Sequence, residues 1–139
     1  LDMVKKRPIP PPPKYEDLFT KHNHIVDRKG KSFSGNSLMG AIVILLFTRS
    51  GHAGCKALTV ALYTMLRNPF PKYMVVCVSR DKTEMDFRRS MSAVPWAFLT
   101  WEEGPLRDYL ARRFFCYSSS LPMLVIIDRN RRVITTQGK

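Results

Sequence analysis

Three short runs with almost no polar residue constrain this chain more than any other feature: Ala41-Ile42-Val43-Ile44-Leu45-Leu46-Phe47, Tyr73-Met74-Val75-Val76-Cys77-Val78-Ser79 and Met123-Leu124-Val125-Ile126-Ile127. A strand with one wet face alternates polar and apolar side chains. A run that is apolar at every position belongs in a sheet covered on both faces. After the first run, Ala57, Leu58, Ala61, Leu62, Met65 and Leu66 recur at spacings of three and four, the stripe of an amphipathic helix ending before Pro69. A second helix is predicted over Lys82–Met91, with a weaker stripe of Met85, Phe87 and Arg89, and a third over Pro105–Phe115, with Pro105 in its first turn. Asp128-Arg129-Asn130-Arg131 reads as a turn leading into a pairing strand, Arg132–Thr136. Shorter elements are a helical turn at Glu16–Phe19, two strands around Gly30 (His24–Asp27 and Ser32–Phe33), and a short strand or irregular packed segment at Trp96–Leu99. Alternating strands and helices closed by a hairpin predict an α/β fold, a three-layer α/β/α sandwich with a central mixed sheet.

The 139 residues suit one domain, placed at 15–139. Residues 1–14 carry Lys5-Lys6-Arg7 and then Pro8-Ile9-Pro10-Pro11-Pro12-Pro13, an extended polyproline-type basic arm, since proline fixes its own φ and donates no hydrogen bond. The initial Leu suggests an excerpt or a processed chain. With 45% apolar and 24% charged residues the composition is globular, and the longest apolar stretch is far short of the ~20 residues needed to cross a bilayer, so no membrane association is expected. Cys55, Cys77 and Cys116 are too few for a disulfide framework, which points to an intracellular reducing compartment, cytoplasmic or mitochondrial. The 23 Lys and Arg against 11 Asp and Glu leave a charge of +12, a field that attracts polyanions. The basic residues are dispersed in short clusters without a nucleic-acid motif, so RNA contact through the basic surface is one expectation and a plain solvated surface the other.

Four segments carry a family resemblance. The first is the apolar strand, loop and helix with Cys55 near its start; the second is Phe87-Arg88-Arg89-Ser90-Met91-Ser92-Ala93-Val94-Pro95-Trp96. The others are Trp101-Glu102-Glu103 ahead of the helix ending Ala111-Arg112-Arg113-Phe114, and Ser120-Leu121-Pro122-Met123-Leu124-Val125-Ile126-Ile127-Asp128 with Val133–Thr136 after it. In this order and spacing they resemble the thioredoxin superfamily, in its tryparedoxin and nucleoredoxin branch. The resemblance covers roughly residues 25–136 and implies a thioredoxin-like sandwich. It also implies that Pro122 is the cis-proline facing the active site, beside a Leu121 backbone able to pair with an extended partner peptide. Read without the family, Pro122 is a trans proline that starts a strand. Val94 stands where tryparedoxins have Met, and the family carries a further C-terminal segment beyond the last strand.

The family's activity resides in Trp-Cys-Pro-Pro-Cys. This chain has Gly51-His52-Ala53-Gly54-Cys55, so by resemblance His52 replaces the attacking cysteine and Cys55 occupies the resolving position. Disulfide exchange begins with a thiolate attacking sulfur, and an imidazole cannot form the mixed disulfide. Three readings stay open: a vestigial site, a Cys55 thiol activated by His52, and half of a metal site. The last needs ligands that only His22, His24 and Cys116 could supply, all distant in sequence. Joint loss of the tryptophan and both prolines favours the vestigial site. Cys77 is expected as a buried small hydrophobe; for Cys116 the two readings are a core residue and a partner for Cys55. No cofactor and no metal are expected. The function expected is that of a redox-inactive binding or structural subunit of a larger assembly. Its protein partner would lie in a groove formed by Gly51, Ala53, Gly54, Leu121 and Pro122 and flanked by Trp96 and Trp101. The alternative is an atypical monothiol thiol-disulfide oxidoreductase using Cys55, for which the family implies trypanothione or another small thiol as reductant and peroxidases as clients.

Overall fold

The computed structural model describes residues 15–19, 24–38, 40–67, 73–114, 116 and 121–137. The proline-rich arm at 1–14, and with it His22, Pro69 and Phe115, lies outside the described residues. Seven strands form one mixed sheet: β1 (Ile25–Val26), β2 (Ser32–Phe33), β3 (Ile42–Thr48), β4 (Tyr73–Ser79), β5 (Ala97–Leu99), β6 (Met123–Ile127) and β7 (Val133–Gln137), in the order β2-β1-β5-β4-β3-β6-β7. The three apolar runs are the central strands β3, β4 and β6. Parallel β3 and β4 pair Ile42 with Tyr73 and Thr48 with Ser79, while β6 runs antiparallel to β3 with Phe47 opposite Met123. Near-continuous burial along β3 matches its near-continuous apolarity. The β6–β7 hairpin turns at 128–131, where the Asp128 carboxylate accepts from the Asn130 and Arg132 amides at 2.8 and 2.9 Å.

Helices α1 (Ala53–Met65) and α2 (Glu84–Ala93) cover one face of the sheet, over a core of Ile44, Leu46, Leu62, Cys77, Phe87 and Phe98. Helix α3 (Gly104–Arg113) and the 3-10 turn Tyr15–Phe19 cover the other, over Leu45, Phe47, Val76, Val78, Leu110 and Val125. The sandwich has the three layers expected. Two helical stripes need correction. In α1 the inward line is Cys55, Leu58, Leu62 and Leu66, whereas Ala57 and Ala61 are exposed and Met65 is 73% exposed, because the sheet reaches only one edge of the apolar arc. In α2, Phe87 and Ser90 face inward, and Met85 and Arg89 point to solvent. Half-buried Leu124 and Ile126 of β6 pack against the same core beneath these two helices.

Candidate functional site

Strand β3 delivers the chain to Thr48, and five residues later, at Ala53, α1 begins. The turn between them requires glycine: Gly51 has φ +75°, and a Cβ there would meet no atom within 4 Å, so conformation and not crowding selects it. His52 follows in extended geometry (φ −83°, ψ 118°) as the N-cap of α1. Its Nδ1 accepts a hydrogen bond from the Cys55 amide at 3.2 Å, satisfying one of the four amides that a helix start leaves without a partner. That bond requires an unprotonated Nδ1. Among the described residues the imidazole makes no bond to the Cys55 sulfur, so the geometry does not couple it to the thiol as a base.

Leu121–Pro122 is a cis peptide, as the resemblance implied. The proline meets the helix start directly. A Cβ on Gly54 would lie 3.1 Å from Pro122 Cδ and 3.1 Å from His52 Cε1, so His52, Gly54 and Pro122 converge on one spot. Beneath them lie Cys55 and Cys116, 3% and 5% exposed and both in the core on the α3 side of the sheet. All three cysteines are free thiols. Burial pushes the Cys116 thiol up to about 11; Arg80 opposes the shift and the neighbouring Cys55 adds to it. Burial raises Cys77 further still, as expected of a core thiol inside β4. The structure thus brings Gly51, His52, Ala53, Gly54, Cys55, Leu121 and Pro122 to one end of the sheet.

Trp96 does not join them. Strand register sets Ala97 beside Val76 and Ser79 beside Thr48, so Trp96 lies toward the opposite end of the sheet, packed into the core under α1 and α2. Trp101 also belongs elsewhere. Its ring stacks under the Arg107 guanidinium, 4.6 Å from the centroid, while Arg107 donates to the Thr100 and Trp101 carbonyls. Burial lowers the Arg107 pKa. The metal reading finds no support in geometry: among the described residues no three His, Cys, Asp or Glu side chains come together. His24 is a core histidine whose Nε2 lies 3.0 Å from the Leu18 carbonyl oxygen.

Sequence reasoning missed Asp81. Its carboxylate accepts from the Ser50 amide at 2.8 Å and from the Ser79 and Ser90 hydroxyls, each at 2.7 Å. One side chain thus ties the 49–51 turn to the end of β4 and to α2, and the Arg80 amide, donating to the Thr48 carbonyl at 2.8 Å, adds a second tie. The only signal was a Ser-x-Asp at a strand end, common turn chemistry.

A thioredoxin-like family profile matches residues 40–133. The chain is 28% identical to bovine nucleoredoxin (Bos taurus) over 113 residues, which cover 79% of this chain and 26% of the relative. It is 29% identical over 107 residues to a probable nucleoredoxin 2 of rice (Oryza sativa subsp. japonica), covering 75% and 27%. It therefore spans about a quarter of the length of the curated relatives it matches. Among solved structures, tryparedoxin II of C. fasciculata superposes with a TM-score of 0.76 at 24% identity, over 88% of this chain and 83% of that one. Tryparedoxin of Trypanosoma brucei gives 0.73 at 24% identity, over 88% and 86%. The chain belongs to the thioredoxin-like family, with nucleoredoxins among its sequence relatives and tryparedoxins among its neighbours in fold.

Proposed function

We propose that this chain works by binding and not by disulfide exchange. In this reading it is a subunit that holds an extended segment of a protein partner between the 51–55 turn and the Leu121–Pro122 turn. The observation that carries the reading is the use made of residue 52. An attacking thiolate at a helix start is stabilised by the free amides there. Here an imidazole stands at that position and accepts from one of those amides, and the remaining thiol of the motif is 3% exposed. Nothing at the surface can start the exchange. The +12 charge supports a further contact with a polyanion such as RNA within the same assembly, visible as binding that weakens steeply with salt. Three free thiols suit a reducing compartment.

One observation favours a second reading. Cys55 and Cys116 belong to the same core cluster, so a Cys55 thiolate attacking a client disulfide would have a second thiol within the fold to resolve the adduct. Insulin reduction with a dithiol reductant separates the two. The binding reading expects the wild-type protein and Cys55→Ser to match the reductant alone. Turnover above that background that disappears in Cys55→Ser refutes it.

A further inference from the structure

The 49–51 turn also borders an open cleft of about 410 Å³, lined by residues of α1 and by the end of α2. Its apolar wall is Val60 from α1 with Ala93 and Val94 from α2, and its charged rim is Arg49, Lys56 and Arg89. Arg89 is paired with Asp86 at 3.3 Å. Arg49 and Lys56 have no partner among the described residues. The nearest carboxylate built into the turn, Asp81, is occupied by the Ser50, Ser79 and Ser90 donors. Among the described residues, therefore, two cations without a counter-charge stand beside an apolar wall.

The cleft continues along α1. Lys56, Val60 and Tyr63 follow at steps of four and three along one line of α1, and Arg67 lies just past the Leu66 C-cap. Val60 and Tyr63 are 67% and 55% exposed, large apolar surfaces for the outside of a helix, and a basic residue closes the line at each end. At 1.5 Å per residue the helical part, Lys56 to Tyr63, is roughly 10 Å long, the span of about three residues of extended peptide.

We propose that the α1–α2 cleft and the Lys56–Arg67 line dock an acidic peptide segment of a protein partner. One carboxylate sits between Arg49 and Lys56, an apolar side chain rests on Val60, Ala93 and Val94, and a second carboxylate reaches Arg67. Charge complementarity selects an acidic segment, and the apolar wall distinguishes it from a uniformly charged polymer such as RNA. Gly51 and Cys55 line this cleft as well as the groove at Pro122, so the two adjoin, but the contacts proposed here use neither residue.

The test is a random dodecapeptide display library panned on the immobilised protein, followed by titration of the enriched peptides in solution. Expected is enrichment of Asp or Glu flanking an apolar residue. The enriched peptides should then bind at least tenfold more weakly to Arg49→Ala, Lys56→Glu and Val60→Asp, with affinity unchanged by Arg129→Glu, a charge-reversed control on the β6–β7 turn. All four sites lie at the surface, and thermal melts confirm that each variant folds. No acidic enrichment overturns the proposal, as does equal binding by the cleft variants or equal weakening by Arg129→Glu. Displacement of the peptides by a uridine oligonucleotide that itself binds Lys56→Glu less tightly overturns it in favour of a nucleic-acid site.

Discussion

Replacing His52 by alanine isolates what the imidazole does. The Cys55 amide sits at the third helical position of α1, where no backbone carbonyl can reach it, and His52 Nδ1 at 3.2 Å is its acceptor. Loss of an N-cap acceptor costs about 0.5–2 kcal/mol, centred near 1. The first turn of α1 carries no acidic residue to compensate. His52→Ala is therefore expected to lower stability by about 1 kcal/mol, which in a chain of this size is a fall of roughly 4 °C in Tm. Urea denaturation followed by helical circular dichroism reads the loss as a lower midpoint at unchanged slope. His52→Ser and His52→Asp restore an oxygen acceptor, and Asp adds a negative charge at the positive end of the helix. Both should return to within about 0.5 kcal/mol of wild type, with Asp the more stable. Two results would refute the cap. One is an alanine variant as stable as the wild type; the other is Ser and Asp variants as damaged as alanine, which would assign the effect to ring packing against Pro122.

Three further outcomes follow from the same geometry. Gly54→Ala should forfeit the gain of up to about 1 kcal/mol that alanine normally brings to a helix, because its Cβ would lie 3.1 Å from both His52 Cε1 and Pro122 Cδ. A double-mutant cycle with His52→Ser should recover at least about 0.5 kcal/mol, and strict additivity would show that the ring is not the obstacle. Asp81→Ala removes the acceptor of three donors and should cost roughly 2–4 kcal/mol, with Asp81→Asn, which keeps one oxygen, losing about half as much; a cost below 1 kcal/mol for alanine would show that the 49–51 turn does not depend on it. Burial raises the Cys116 thiol from 9.0 to about 11, so the unfolded chain releases this proton first: the stability it contributes is whole below pH 9 and declines by up to about 3 kcal/mol as pH rises to 11. Chemical denaturation of Cys116→Ala should show a shallower alkaline decline, the remainder belonging to Cys77, whose pKa moves the same way; an unchanged decline rules Cys116 out as its source.

Most of the architecture was legible because it is written in periodicity. Runs such as Ile42–Phe47 have no polar side to expose, and only the middle of a sheet accepts them, so β3, β4 and β6 followed from composition alone. The α1 stripe was legible only as an arc. Which edge of that arc meets the sheet depends on how far the sheet extends, and Met65 therefore reads as core in the sequence yet lies in solvent. Trp96 fails for a related reason. A residue next to Pro95 at the start of a three-residue strand can sit at either end of the sheet, and the pairing of Ala97 with Val76, invisible in the sequence, decides it. Family likeness placed Pro122 beside the 51–55 turn. It gave no sign of Asp81, whose three donors come from β4, α2 and a loop and meet only after folding.

The replaced residues at the site are not independent of one another. A helix start presents free amides whether or not a thiolate is there to use them, so removing the attacking sulfur leaves donors that need another acceptor. His52 supplies one, but its ring must lie back over the helix to do so, and there it meets the space above residue 54, which Pro122 already confines from the other side. Any side chain at 54 begins with a Cβ, and so does the proline found there in active members of the family. The imidazole cap and a bare glycine at 54 thus belong together: each is tolerated because the other is present. This differs from a site decaying position by position, in which Gly54 would be free to vary. In the proposed reading the helix start is stable without a thiol at residue 52, beside the Leu121–Pro122 turn. That three-way fit of His52, Gly54 and Pro122 is the geometry on which the proposed groove between His52 and Pro122 rests.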